Sequence, residues 1–170
     1  MSTTLRVAFA SAVRHAADYL RILADDDRVE LVGVVEEGDA PGWVRDDSRA
    51  VAERAGVPYA EVADVAAVAE ALGSAVDLVV VCAEPTRHAR LAAALLVAGL
   101  DVLVDKPVAT TLADADHLVA VAARTGRTCA VVNRTHAPAL RRLRAWVDAG
   151  HVGLPRHQDL EFLASGAHFA

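Results

Sequence analysis

Short β-branched runs alternate with longer Ala- and Leu-rich runs of helical period along nearly the whole chain, and no other feature constrains its fold as much. The runs predict strands over residues 5–10, 29–35, 77–82, 101–104 and 128–132, with a weaker one near Tyr59. Helical period fills the gaps, over residues 14–24, 43–55, 64–72, 87–98, 112–125 and 138–149. Repeated strand–helix–strand units are what such a pattern specifies. A run as uniformly apolar as Leu78-Val79-Val80-Val81 belongs to a sheet covered on both faces, because neither face has a polar set to offer water.

Right-handed crossovers send successive helices to the two faces. The expected fold is therefore α/β, a doubly wound and mostly parallel sheet of the Rossmann type. A length of 170 residues is enough for one such domain with a sizeable core and too short for two. Much of the 54% hydrophobic fraction is Ala and Val, with only 4% aromatics, and small side chains let helices sit close on a sheet. Gly56, Gly73, Gly99, Gly126 and Gly150 each follow a helical run, where a left-handed cap suits a residue without Cβ. Thr111 with Asp114 reads as a capping box with Asp in the place of Glu. The polar, glycine-rich stretch from Glu37 to Gly42 reads as a mobile loop. In this fold the ligand crevice lies at the carboxyl ends of the strands, which here are Ser11, Glu36, residues 83–88, 105–107 and 133–136.

Several function classes fall away. No apolar run reaches the roughly 18 residues of a membrane span, since Asp, Glu or Arg interrupts each one. Met1-Ser2-Thr3-Thr4 leads straight into the first apolar run without a signal-peptide pattern. Cys82 and Cys129 fall in predicted strands and form no CxxC pair, so reduced thiols and a cytoplasmic location are expected. A net charge of −6 with no basic block argues against nucleic acid. The His and Cys residues show no ligand spacing, and no metal site is expected.

After Gly150 the pattern changes. His151-Val152-Gly153-Leu154-Pro155 reads as a turn and residues 156–163 as one more strand. The expected division is a dinucleotide-binding domain over residues 1–150 and the start of a second, substrate domain over 151–170, with the chain stopping just inside it.

Four segments at strand and helix ends carry a family resemblance. Ala83-Glu84-Pro85-Thr86-Arg87-His88 is similar to a "T-P-N-x-x-H" segment, and Ala98-Gly99-Leu100-Asp101-Val102-Leu103-Val104-Asp105-Lys106-Pro107 to "A-G-K-H-V-L-x-E-K-P". Asn133-Arg134-Thr135-His136-Ala137-Pro138 resembles "N-R-R-F-x-P", and Gly150 to Pro155 resembles "G-x-I-G-x-P". These belong to the glucose–fructose oxidoreductase, inositol dehydrogenase and MocA family. One short match would carry little; four in order are specific. The resemblance implies a nicotinamide-dependent oxidoreductase acting on a sugar, cyclitol or related polyol. In that family an N-terminal nucleotide-binding domain precedes a C-terminal α/β domain that supplies much of the substrate site.

Lys106 is the candidate catalytic residue. A Lys leaving the fifth strand beside the crevice can polarise a substrate hydroxyl or carbonyl, or exchange a proton with it. The family implies that role for the Lys of its E-K-P segment; a solvated lysine at a strand end is the alternative. Asp105 stands for the family's Glu, keeping the charge on a shorter arm, and Pro107 stiffens the turn. Glu36 ends the second strand where a dinucleotide fold sets an acid against the adenosine ribose. A carboxylate there repels a 2′-phosphate and so favours NAD over NADP. With Glu37 adjacent the assignment is open by one residue, and an acid facing only water is the alternative.

The first turn departs most from the family. Where G-x-G-x-x-G/A is expected, the positions hold Ser11, Val13 and Ala16. Val13 is β-branched, stands where the phosphates need room and disfavours positive φ. Either the turn takes another path, with Ser11 and His15 meeting phosphate through side chains, or dinucleotide binding is weak or lost. His88 opens the helix after the fourth strand, near the cofactor end, and a structural role is favoured for it. Ala83 and Pro85 belong to the same strand end, Thr86 caps that helix or meets the cofactor, and Arg134 is placed toward the substrate. The Asp and His that accompany the Lys in the family lie beyond this chain, and His168 comes too early to replace them.

The expectation is thus an oxidoreductase represented by its cofactor domain, inactive as 170 residues alone. The alternative is a non-catalytic Rossmann module for binding or interaction that has lost its phosphate turn. Beside the small-molecule substrate, a homo-oligomer or a second chain completing the site in trans stays open.

Overall fold

The computed structural model describes residues 4–133 and 137–157. Arg134, His168 and all but the first two residues of the expected strand over 156–163 lie outside them, and those two carry no regular structure. Contacts divide the chain into two units, Met1–Val132 and Asn133–Ala170. The first unit runs β1 (Leu5–Ala12), α1 (Ala16–Ala24), β2 (Val29–Glu37), α2 (Gly42–Ala55), β3 (Tyr59–Val62), a 3-10 turn (Val65–Ala67), α3 (Val68–Ala71) and β4 (Leu78–Cys82). It continues through α4 (His88–Val97), β5 (Asp101–Val104), α5 (Leu112–Thr125) and β6 (Cys129–Val131). In the second unit, α6 (Pro138–Asp148) begins on Pro138, where a missing N–H costs nothing, and is braced by Arg144 on Asp148 at 2.8 Å.

The six strands form one parallel sheet in the order β3-β2-β1-β4-β5-β6. This is the doubly wound arrangement, with its reversal of direction between β1 and β4. Alternation along β1 shows why both faces are apolar. Val7 and Phe9 pack with Ala16 and Leu20 of α1 and Val51 and Ala52 of α2. Ala8 and Ala10 pack on the other side, with Val68 of α3, Leu91 and Leu95 of α4 and Leu118 of α5. Among the described residues no helix is long and apolar enough to cross a membrane.

Three local departures from the sequence pattern have physical causes. The expected helix over 64–72 breaks into the 3-10 turn and one α-turn. The Asp64 carboxylate accepts from the Ala66 N–H, and a 3-10 turn aligns the i and i+3 residues Val65 and Val68, both buried. The stretch from Glu37 to Gly42 is tied down rather than loose: Glu37 still pairs with Val62 in the sheet, the Gly38 N–H donates to Val62 O at 2.9 Å, and Ala40 is buried. Thr111 does cap α5, accepting from the Asp114 N–H at 3.1 Å. Asp114 answers the Thr111 hydroxyl at 2.7 Å, its shorter arm stopping there where Glu would reach the cap's backbone.

Candidate functional site: the carboxyl-end crevice

The end of β5 holds a dense polar cluster. Asp105 is buried, and its carboxylate folds back to accept the Lys106 N–H at 2.8 Å. The same group takes the Tyr19 hydroxyl at 2.8 Å and His15 Nδ1 at 2.9 Å, both from the start of α1. Burial works to raise the Asp105 carboxyl, but the bonds from His15, Tyr19 and the Lys106 N–H outweigh it and hold it below the ordinary carboxylate range. Burial, and then the hydrogen bond to Asp105 and its charge, push the Tyr19 phenol up, so it stays a donor. A ring that donates from Nδ1 to a carboxylate presents the Nε2 lone pair on its far side. There Lys106 Nζ lies 3.5 Å away, exposed to solvent.

His88 connects this cluster to the neighbouring strand. Its ring is buried, with Nδ1 at 2.7 Å from Pro107 O and Nε2 at 2.8 Å from Ala83 O. It therefore ties the exit of β4 to the turn after β5, where the Lys106–Pro107 peptide is cis. Pro85 is half-buried and Thr86 exposed at the mouth of α4. The capping expectation for Thr86 is not met: Arg87 is the N-cap of α4, with no side-chain cap. Arg134 lies outside the described residues.

At the first turn the chain keeps a glycine-like path without glycine. Ser11 has φ +61° and Arg14 +56°, left-handed values that cost a side-chain-bearing residue about 1–2 kcal/mol each. Arg14 thereby delays α1 until Ala16. Ser11 bulges out of the β1–β4 ladder, and its Oγ is buried without a hydrogen-bond partner. Val13 avoids positive φ; its N–H donates to Cys82 O at 3.0 Å, and its side chain is buried with Ala40 and Val44. His15 turns to Asp105 rather than to the turn.

Across β1, the acids at the end of β2 are fully engaged. Glu36 Oε2 accepts the Ser48 hydroxyl of α2 at 2.9 Å, and Ser48 Oγ in turn accepts the Ala12 N–H at 2.9 Å. Glu36 Oε1 takes the Glu37 N–H at 3.0 Å and Arg87 Nη2 at 2.6 Å. Arg87 also reaches Glu37 Oε2 at 2.8 Å and Glu84 at 2.9 Å, and Arg90 donates to both oxygens of Glu37. The bond from Arg90 leads in holding the Glu37 carboxyl below its ordinary range, against burial and with help from Arg87.

In a doubly wound sheet the half built on β1–β3 receives the adenosine side of a dinucleotide and the half built on β4–β6 the nicotinamide side. The nicotinamide side fits: an exposed Lys106 stands in the crevice, its neighbours fixed by hydrogen bonds. The adenosine side does not fit as it stands, because Val13 fills the turn and Glu36 and Glu37 are buried with each of their oxygens already accepting a bond. Sequence reasoning brought Lys106, Asp105, Pro107 and His88 to one place, and the structure brings them there. It missed Tyr19, Ser48 and Arg90, and placed Arg87 at the crevice without giving it a role. The His15/Tyr19 spacing of four residues, one helical turn opening α1, was the one local signal for the first of these.

Residues 5–133 match the Gfo/Idh/MocA model, described as an oxidoreductase family with an NAD-binding Rossmann fold. None of the curated proteins matches the chain. Among solved structures, GenD2 from gentamicin A biosynthesis, in complex with NAD, is 27% identical with a TM-score of 0.73, over 89% of this chain and 41% of that one. KijD10, a 3-ketoreductase from Actinomadura kijaniata in complex with TDP-benzene and NADP, is 25% identical with a TM-score of 0.71, over 87% and 44%. The myo-inositol 2-dehydrogenase from Lactobacillus plantarum, at 19% identity and a TM-score of 0.73 over 89% and 43%, shares the fold. The chain spans less than half the length of each.

Proposed function

The chain belongs to the Gfo/Idh/MocA oxidoreductase family, and from that premise we propose that it forms the cofactor side of an enzyme that oxidises a carbinol carbon of a sugar, cyclitol or related polyol, or reduces the corresponding carbonyl. The observation that carries this reading is the linked set Asp105, His15 and Lys106, with contacts of 2.9 and 3.5 Å, at the nicotinamide end of the crevice. When bound, the nicotinamide supplies the hydride acceptor or donor.

The chain's own residues manage the proton. Asp105, kept as a carboxylate, fixes the His15 ring with its Nε2 lone pair toward Lys106. Lys106 Nζ donates to that lone pair or to a substrate oxygen, so the ammonium is oriented before a substrate arrives. Geometry set in advance is what makes such a group effective, and a positioned acid–base residue supplies about 100-fold to 10,000-fold in rate. Tyr19, a permanent donor, holds the second Asp105 oxygen and stops the carboxylate from turning. His15 is thus a positioning residue, and Lys106 the group that meets the substrate.

The test uses the whole protein with a panel of polyols and either nicotinamide cofactor. Lys106→Ala should lower kcat by about 100-fold or more while cofactor affinity stays nearly unchanged. A wild-type kcat in that variant removes Lys106 from the mechanism. A second reading, the non-catalytic binding module, is favoured by Val13 in the turn and by the engaged Glu36. Failure of the folded protein to bind any nicotinamide nucleotide at millimolar concentration would decide for it.

A further inference from the structure

Arg87 lies on the loop that leaves β4, yet its side chain spans the end of β1 to the acids of β2, the strand beyond it. Its Nη2 donates to Glu36 Oε1 at 2.6 Å and to Glu37 Oε2 at 2.8 Å, while Nη1 is anchored on Glu84 at 2.9 Å. A ribose diol presents hydroxyl donors to such an acid, and here one guanidinium nitrogen donates once to each of the two acids. The guanidinium is held firmly: burial opposes its charge, but the bonds to Glu36 and Glu37 more than compensate and raise its pKa. Only 13% of its side chain is exposed, so the guanidinium is packed among the acids rather than lying on the surface. Ala40 of the β2–α2 connection and Val44 of α2 pack on Val13.

We infer that Arg87 is a specificity-determining residue that occupies the adenosine-ribose position on Glu36 and Glu37, so that the crevice holds its cofactor by the nicotinamide mononucleotide half alone. The inference rests on the nicotinamide reading above. It makes the adenosine moiety, and with it the 2′-phosphate that separates NADP from NAD, irrelevant to affinity.

Calorimetry on the whole protein with nicotinamide mononucleotide, NAD, NADP and 5′-AMP tests this. The first three should bind within about fivefold of one another, roughly 1 kcal/mol, and AMP should not displace them. NAD binding more than fivefold tighter than the mononucleotide, or displacement by AMP, overturns the inference and leaves the nicotinamide reading intact. Arg87→Met, made together with Val13→Gly so that the turn is open, keeps the apolar stem and removes the guanidinium from Glu36, so NAD should then bind at least about tenfold tighter than the mononucleotide. An unchanged ratio in that variant, if folded, overturns the inference. If the double variant does not fold, the comparison in the unaltered protein decides alone. No binding of any nucleotide by either protein removes this inference and the nicotinamide reading together.

Discussion

Ser48 is a small helix residue that nothing in its local sequence distinguishes, and its removal should cost more than most core truncations of its size. Its hydroxyl accepts the Ala12 N–H and donates to Glu36 Oε2, both at 2.9 Å, and residues 12, 36 and 48 are all buried. Ser48→Ala removes one oxygen and leaves two polar groups without that partner: a backbone donor at the end of β1 and a carboxylate oxygen. A buried group stripped of its partner costs about 1–3 kcal/mol, with charged groups at the upper end, so the pair should cost about 2–5 kcal/mol. Against a typical total of about 5–15 kcal/mol this is large, and it corresponds to a drop in Tm of roughly 5–15 °C for a domain of this size. Urea unfolding followed by circular dichroism measures it, with an unchanged slope showing that the same transition is compared. Ser74→Ala is the internal control, because the Ser74 hydroxyl is buried without a partner and should be lost at little or no cost. A Ser48→Ala loss below about 0.5 kcal/mol, the level of an ordinary surface change, would refute the claim that Ser48 secures Glu36 and the first turn.

Two further outcomes follow from the same geometry. Asp105 has a depressed folded-state pKa, so its stabilising effect is complete above the ordinary carboxylate range and fades as pH falls through the folded value. The stability gap between wild type and Asp105→Asn should therefore be widest near neutrality and shrink in acid; a constant gap from pH 7 to the acid limb would contradict the assignment. Gly33 has φ +152°, and a Cβ there would stand 2.6 Å from Leu72 Cδ2 and 2.8 Å from Pro58 O. Since the carbonyl cannot yield, Gly33→Ala should destabilise by about 2–4 kcal/mol, and a near-neutral urea midpoint would show the contact to be soft.

The sheet was legible in the sequence because buried parallel strands and their covering helices write their periods locally, residue by residue. So was the position of Lys106, since a strand end is a local event. The interactions that give the crevice its character are not local. His15 meets Asp105 across 90 residues, Arg87 meets Glu36 across 51, and Ser48 meets Glu36 from another helix. No pattern in a short window encodes such pairs. Glu36 shows the consequence: its place at the end of β2 was readable, but its availability was not, because its partners come from α2 and from the loop after β4.

Val13 at the first turn and Arg87 on Glu36 are then two parts of one arrangement. A second glycine is needed when a pyrophosphate must approach the backbone closely and an adenosine must pass on toward β2. If Arg87 takes the ribose position, no adenosine passes, and the space beside the turn can be filled. Val13 fills it, buried with Ala40 and Val44, and the connection after β2 settles into an ordered structure. Ser11, by contrast, keeps the left-handed backbone of the first glycine at φ +61° and carries an unpartnered buried hydroxyl, so the turn itself has not relaxed into an ordinary strand end. Strain of this kind persists only where the surrounding structure enforces it. Here the enforcing contacts after the bulge are the Ala12 N–H on Ser48 Oγ and the Val13 N–H on Cys82 O, and before it the pairing of Ala10 with Val35 and Val81 in the sheet. Among the described residues the end of β5 carries none of these changes, and Lys106 remains open to solvent beside its fixed neighbours.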